Sequence, residues 1–161
     1  MELIPVDLSF PEGCNLILGQ SHFIKTVEDL YEAMVNSVPG AKFGVAFCEA
    51  SGPCLIRHDG TDPELEQCAV SNAERLGAGH SFVIVMSNVF PLNVLPKVRD
   101  CHEVVRIFCA TANPVTAVLA RTDQGNGILG VIDGFAPRGV EKDDDRRHRL
   151  DFLRKIGYKR G

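Results

Sequence analysis

Apolar residues at Val27, Leu30, Tyr31, Met34, Val35 and Val38 recur every three or four positions, the pattern of a helix with one buried stripe. Thr26 is placed to cap it, Glu28 and Asp29 suit its first turn, and Pro39-Gly40 ends it. A second helix opens with Asp62 as cap and Pro63 in the first position. Its inner face carries Leu65, Cys68, Ala69, Ala73 and Leu76, and Gly77 fits the position just past its end. A weaker helix is expected over 92–100, because Pro96 removes a backbone donor there. Residues 143–156 begin with acids and end with bases, which matches a terminal helix and its dipole. Continuous apolar runs over 43–48 and 82–86 predict buried strands, the second within a strand over 80–86. Further strands are expected over 3–8, 15–19, 54–58, 104–110, 115–121 and 128–132. Strands and helices intermix without strict βαβ alternation. That predicts an α+β fold, a mixed β-sheet flanked by about four helices, in a single compact domain over 1–161.

Composition narrows the function classes. Hydrophobic residues at 45% and charged residues at 24% suit a folded globular chain rather than a disordered one. The net charge of −4 argues against nucleic acid as a partner, which would call for a basic excess. It leaves room for a small anion held in one local pocket. Six cysteines form no CxxC pair, so they read as core thiols of a reducing compartment. No His or Cys spacing suits zinc. No apolar run approaches the ~20 residues of a membrane span, and residues 1–10 have no basic stretch of a signal peptide. A cytoplasmic protein with no membrane partner is the expectation.

Glycine-rich segments hold the candidate chemistry. Gly125-Asn126-Gly127-Ile128-Leu129-Gly130 matches G-x-G-x-x-G, but it opens a β-branched strand rather than a helix. A hairpin turn is therefore expected, not a phosphate loop. No GK[ST] loop is present. Residues 19–26 (GQSHFIKT) join a strand to a helix N-terminus, where an anion is favoured. Ser21 and His22 add donors there and Lys25 adds a charge; a plain connecting loop is the alternative. In residues 77–82 (GAGHSF), His80 stands at a strand start between Gly79 and Ser81, placed as nucleophile, base or ligand, or as a structural histidine. The strand over 43–48 runs into Glu49-Ala50-Ser51-Gly52-Pro53, where Glu49 suits a base or a metal-side carboxylate, or merely opens a turn. Asn113 precedes a proline after another strand; its amide suits a nucleobase, and Asn-Pro is equally a turn signal.

Taken together, GQSHFIKTVEDLYE (19–32), KFGVAFCEASGP (42–53), GAGHSF (77–82), RIFCATANPV (106–115), GILGVIDGF (127–135) and DFLRKIGYK (151–159) resemble the adenosine-specific kinase family of archaeal and bacterial proteins. The resemblance runs from about residue 13 onward, and residues 95–103 match least. It implies binding of adenosine or AMP, phosphoryl transfer from ATP to adenosine, a histidine that carries a phosphoryl group, and assembly into a homotrimer or hexamer. Of the five histidines, only His22 and His80 lie in the glycine- and serine-bearing blocks, and either suits the phosphoryl carrier. In this reading Lys25 and Mg2+ (bound with ATP) neutralise phosphoryl charge. Glu49 serves as base or metal-side carboxylate, Ser51 and Asn113 hold the nucleoside, and Ser21, Gly52, Gly79 and Ser81 complete the nucleotide contacts. The alternatives are a non-catalytic AMP or adenosine sensor and, below both, a thiol enzyme built on Cys48 or Cys109.

Overall fold

The computed structural model describes residues 1–160. Its central layer is an antiparallel five-stranded sheet in the order β4-β3-β5-β2-β6. These are β2 (Asn15–Ser21), β3 (Lys42–Cys48), β4 (Ile56–Gly60), β5 (Ser81–Ser87) and β6 (Val104–Thr111). A second antiparallel sheet holds β1 (Glu2–Leu8), β7 (Val115–Thr122) and β8 (Gly125–Asp133) in the order β1-β7-β8. The helices are α1 (Thr26–Ser37), α2 (Pro63–Leu76), α3 (Pro91–Asp100) and α4 (Asp143–Lys155).

The α+β class and the four helices match expectation; the single mixed sheet does not. β2, α1 and β3 form a strand–helix–strand unit whose two strands run the same way, which suggests parallel pairing. β5 inserts between them and pairs antiparallel with both. This split arrangement removes every parallel neighbour from the main sheet.

Each face of the central sheet carries its own core. Phe43, Val45, Phe47, Phe82, Ile84 and Met86 pack with α1 and α3. Leu16, Leu18, Ala46, Val83 and Val85 meet α2 and the inner face of the small sheet on the other side. The central strands are thus buried on both faces, and this is why they read as unbroken apolar runs. Each buried Phe contributes roughly 1.5–3 kcal/mol by leaving water.

Local signals mostly act where expected. The Asp62 side chain accepts from the backbone N–H groups of Glu64 and Leu65, capping α2. Thr26 is the first residue of α1 rather than its cap: its hydroxyl turns back to Ser21 Oγ (2.7 Å) and the Phe23 carbonyl (2.5 Å). α3 forms with Pro96 inside it, its start held by Asn93 accepting from the Phe90 N–H.

Candidate functional site

Alternating strand direction brings the ends of β2 and β3 and the starts of β5 and β6 to one edge of the central sheet. Ser21, His22 and Lys25 follow or end β2; Glu49, Ser51 and Gly52 follow β3; Gly79, His80 and Ser81 lead into β5. Only Asn113 is not brought to this edge. β6 carries the chain away from it, so Asn113 lies at the opposite edge, about 23 Å along the strand at 3.3 Å per residue. There its amide donates to Asp133 Oδ1 (3.2 Å), which also accepts from the Thr111 hydroxyl (2.8 Å). Within one chain Asn113 cannot share a ligand with His80.

His80 is the most constrained of the candidates. Its φ of 64° is left-handed, a conformation uncommon for a residue with a Cβ. Two neighbours hold it there. Its N–H donates to the Cys48 carbonyl (2.7 Å), and its carbonyl accepts from the Ser21 N–H (2.9 Å). The ring stacks on Phe47, centroids 5.9 Å apart and planes 13° from parallel. The side chain is half-exposed. Ser81, by contrast, is buried and closes the preceding turn by donating to the Ala78 carbonyl (2.6 Å).

The loop after β2 differs electrostatically from expectation. Lys25 Nζ lies 2.5 Å from Asp29 and 3.9 Å from Glu103. The Asp29 hydrogen bond, helped by the Glu103 charge and opposed by desolvation, raises the Lys25 ammonium above its ordinary value. Two carboxylates therefore face one ammonium, and Lys25 is not a free cation waiting for phosphate. Glu103 is only 2% exposed, and neither of its carboxylate oxygens has a hydrogen-bond partner among the described residues. Its backbone carbonyl accepts from the His22 N–H (3.1 Å), so it anchors the loop that presents the exposed His22 ring. The sequence gives little sign of this: an acid just before a strand looks solvated, yet the fold buries it beside Lys25. Gly19 is likewise a packing residue, since a Cβ there would stand 2.2 Å from the Phe82 ring.

Beside His80, on the α2 side, opens a cleft of about 730 Å³. Its walls include Glu49 and Ala50 after β3, Glu74, Gly77 and Gly79 from α2 and its exit, and Gln124 to Gly127 of the β7–β8 hairpin. The glycine cluster at 125–130 opens β8, the second strand of a hairpin whose turn is Asp123-Gln124, and the start of that strand forms a cleft wall. Asn126 fixes it there by donating to the Leu76 carbonyl (2.8 Å). Glu49 accepts from Arg57 (3.1 Å) and from the Leu55 N–H (3.1 Å), which closes the exposed turn carrying Ser51 and Gly52. It is thus a fixed, paired carboxylate. Glu74 has no such partner among the described residues. Arg106, on edge strand β6 opposite Gln20, is an exposed cation 5.8 Å from the Phe108 ring and was not among the sequence candidates.

The thiols are poor nucleophiles. Burial pushes Cys48 up, outweighing the opposing hydrogen bonds of Ser81 and Ala78. Burial and then the Asp133 charge push Cys109 up to about 11. A raised thiol stays protonated through pH 8, and the thiolate is the reactive form. Brief iodoacetamide treatment of native protein at pH 8 is therefore expected to label exposed Cys54, with Cys48 and Cys109 at least about tenfold slower. Peptide mass mapping reads this directly. Fast labelling at Cys48 would revive the thiol reading.

Three comparisons with known proteins bear on identity. A model described as adenosine specific kinase matches residues 6–159. The crystal structure of PH1918 protein from Pyrococcus horikoshii OT3 is 43% identical, covers 99% of both chains and superposes with a TM-score of 0.95. No curated protein matches the chain. With the family model spanning nearly all of β1 through α4, the chain belongs to the adenosine-specific kinase family.

Proposed function

We propose that this protein transfers a phosphoryl group from ATP to adenosine at the sheet edge that carries His80, with His80 as the nucleophile. The observation that supports this most is His80 itself: a left-handed histidine, pinned from both sides and stacked on Phe47, beside a nucleoside-sized cleft. Strained backbone held by its surroundings clusters at functional sites. A ring nitrogen of neutral His80 attacks the γ-phosphorus. An N–P bond forms, the bridging P–O bond breaks and ADP leaves. An adenosine hydroxyl then attacks the same phosphorus, the N–P bond breaks, the imidazole is restored and the hydroxyl proton is released to water. Two steps thereby replace one harder transfer. His22, Ser21 and Lys25 border the edge, Glu49 and Gly79 line the cleft, and Ser51, Gly52 and Ser81 belong to the turns beside it.

Mg2+ would enter with ATP. Among the described residues no three His, Cys, Asp or Glu side chains converge as a metal cage. Magnesium on a nucleotide needs only one or two carboxylates beside phosphates and water, and unpaired Glu74 in the cleft fits that role. When bound, the ion screens charge on the phosphate oxygens.

One observation favours a second reading, an adenosine or AMP binder without turnover: no Lys or Arg lines the cleft to balance a triphosphate. Calorimetry with adenosine, AMP and ATP, followed by product analysis with Mg2+, separates the two. AMP formed from adenosine and ATP is expected. Tight AMP binding with no AMP formed would overturn the kinase reading. The reading includes a homotrimer or hexamer in the cytoplasm; no helix of the described residues is long and apolar enough to cross a membrane.

A further inference from the structure

Two apolar surfaces of this chain face solvent with nothing of their own fold on them. The first is α4 and the segment leading to it. No residue of α4 is buried. In the last two turns Leu150, Phe152, Leu153 and Ile156 nevertheless fall within about 160° of arc at 100° per residue, an apolar patch whose side of the helix is charged one turn earlier, at Asp145, Arg146 and Arg149. The helix forms by local means: acids open it, Lys142 N–H donates to Asp145, Arg149 pairs with Glu141, and Arg154 and Lys155 close it. An isolated helix of 13 residues is marginal in water, so an apolar face on one calls for a partner.

The second surface is the outer face of the small sheet. Its inner face, with Val115, Ala117 and Leu119, packs against the core. The alternate positions point away and include Leu3, Pro5, Val118, Leu129 and Ile132. Leu3, Leu129 and Ile132 are 66%, 62% and 59% exposed. A sheet with apolar side chains on both faces is one made to be covered on both.

Charge says what covers them. Residues 134–161 hold nine basic and five acidic side chains, a net of +4, whereas residues 1–133 hold eight basic and sixteen acidic, a net of −8. Of the acids around this sheet, Asp7 lies on the outer face itself, paired with Thr116, and Asp123 stands in the turn between β7 and β8. The helix brings Arg147, Arg154 and Lys155 to the flanks of this patch and Arg146 and Arg149 to its N-terminal end. Opposite net charges flanking two apolar patches are the arrangement of an interface core with a polar rim.

We infer that α4 of one chain docks on the outer face of the β1-β7-β8 sheet of a second copy. The inference rests on the homo-oligomer reading and names its contact. Different patches meet on the two copies, so the contact is head-to-tail and closes into a ring or is exchanged reciprocally between copies.

Light scattering on the full chain at near-physiological salt tests it. Wild type is expected at a multiple of the chain mass. Phe152→Asp/Ile156→Asp and Leu129→Asp/Ile132→Asp are each expected to fall to the mass of one chain, with circular dichroism unchanged because all four side chains are exposed. A photoreactive p-benzoyl-phenylalanine in place of Leu129, in an equal mixture of light and heavy isotope-labelled chains, should cross-link to α4 across the isotope boundary. A monomeric wild type would overturn both the oligomer reading and this contact. An oligomer that survives both double variants would overturn the contact alone, as would cross-links confined to chains of one isotope.

Discussion

Gly44→Ala is expected to cost at least about 3 kcal/mol, the upper range for forcing extra volume into a packed core. At roughly 2–4 °C per kcal/mol for a domain of this size, the melting temperature should fall by about 6–12 °C. Gly44 sits in β3 under the first turns of α2. A Cβ there would stand 2.2 Å from both Cα and N of Glu66 and 2.4 Å from the carbonyl carbon of Leu65. All three are backbone atoms, so no side-chain rotation relieves the clash; α2 has to lift. Ala73, Glu74 and Gly77, at the other end of that helix, line the cleft, and nucleoside affinity should fall with stability. Gly130→Ala is the control, since its Cβ meets nothing within 4 Å. A Gly44→Ala melting point within 2 °C of wild type, in the same thermal scan, would show that the β3–α2 approach has slack the geometry does not show.

What the sequence discloses is largely what neighbouring residues decide among themselves. The α1 and α2 stripes, the Asp62 cap and the runs of β3 and β5 are local patterns, and each element forms where its pattern stands. Sheet order is not local. Nothing in residues 81–87 says that they insert between β2 and β3, so antiparallel pairing displaced the expected mixed sheet. The same limit divides the candidate site. His22, Glu49 and His80 each stand in a loop flanking an apolar strand, and the structure brings these loops together because strand ends gather at one end of the sheet. The partners of those residues lie far away in the chain. Glu103 is buried beside Lys25 across 78 residues of sequence. The start of β8 becomes a cleft wall only because Asn126 reaches the end of α2. Asn113 failed for a length reason: β6 spans the sheet, so its far end cannot return to the near edge.

His80→Ala and His80→Gly are both expected to remove an acid-labile phosphoryl group of about 80 Da and to lower AMP formation at least about a hundredfold, as loss of a covalent nucleophile should. Their stabilities should differ in a way that loss of a ring alone does not produce. Both forfeit the Phe47 stack, worth about 0.5–1.5 kcal/mol. Only alanine keeps a Cβ in the left-handed conformation at φ 64°, which costs roughly 1–2 kcal/mol. The glycine variant should therefore melt higher than the alanine variant while being equally inactive, and this separates lost chemistry from lost folding. His22 provides the counter-test. Its ring is exposed and its loop is held through backbone and Lys25 contacts, so His22→Ala should keep both the fold and the phosphoryl label. Intact mass before and after acid treatment reads the label in all three variants. Should His22→Ala lose it while His80→Gly retains it, the nucleophile is His22. The strain at His80 would then serve to shape the cleft wall rather than to present a reacting nitrogen.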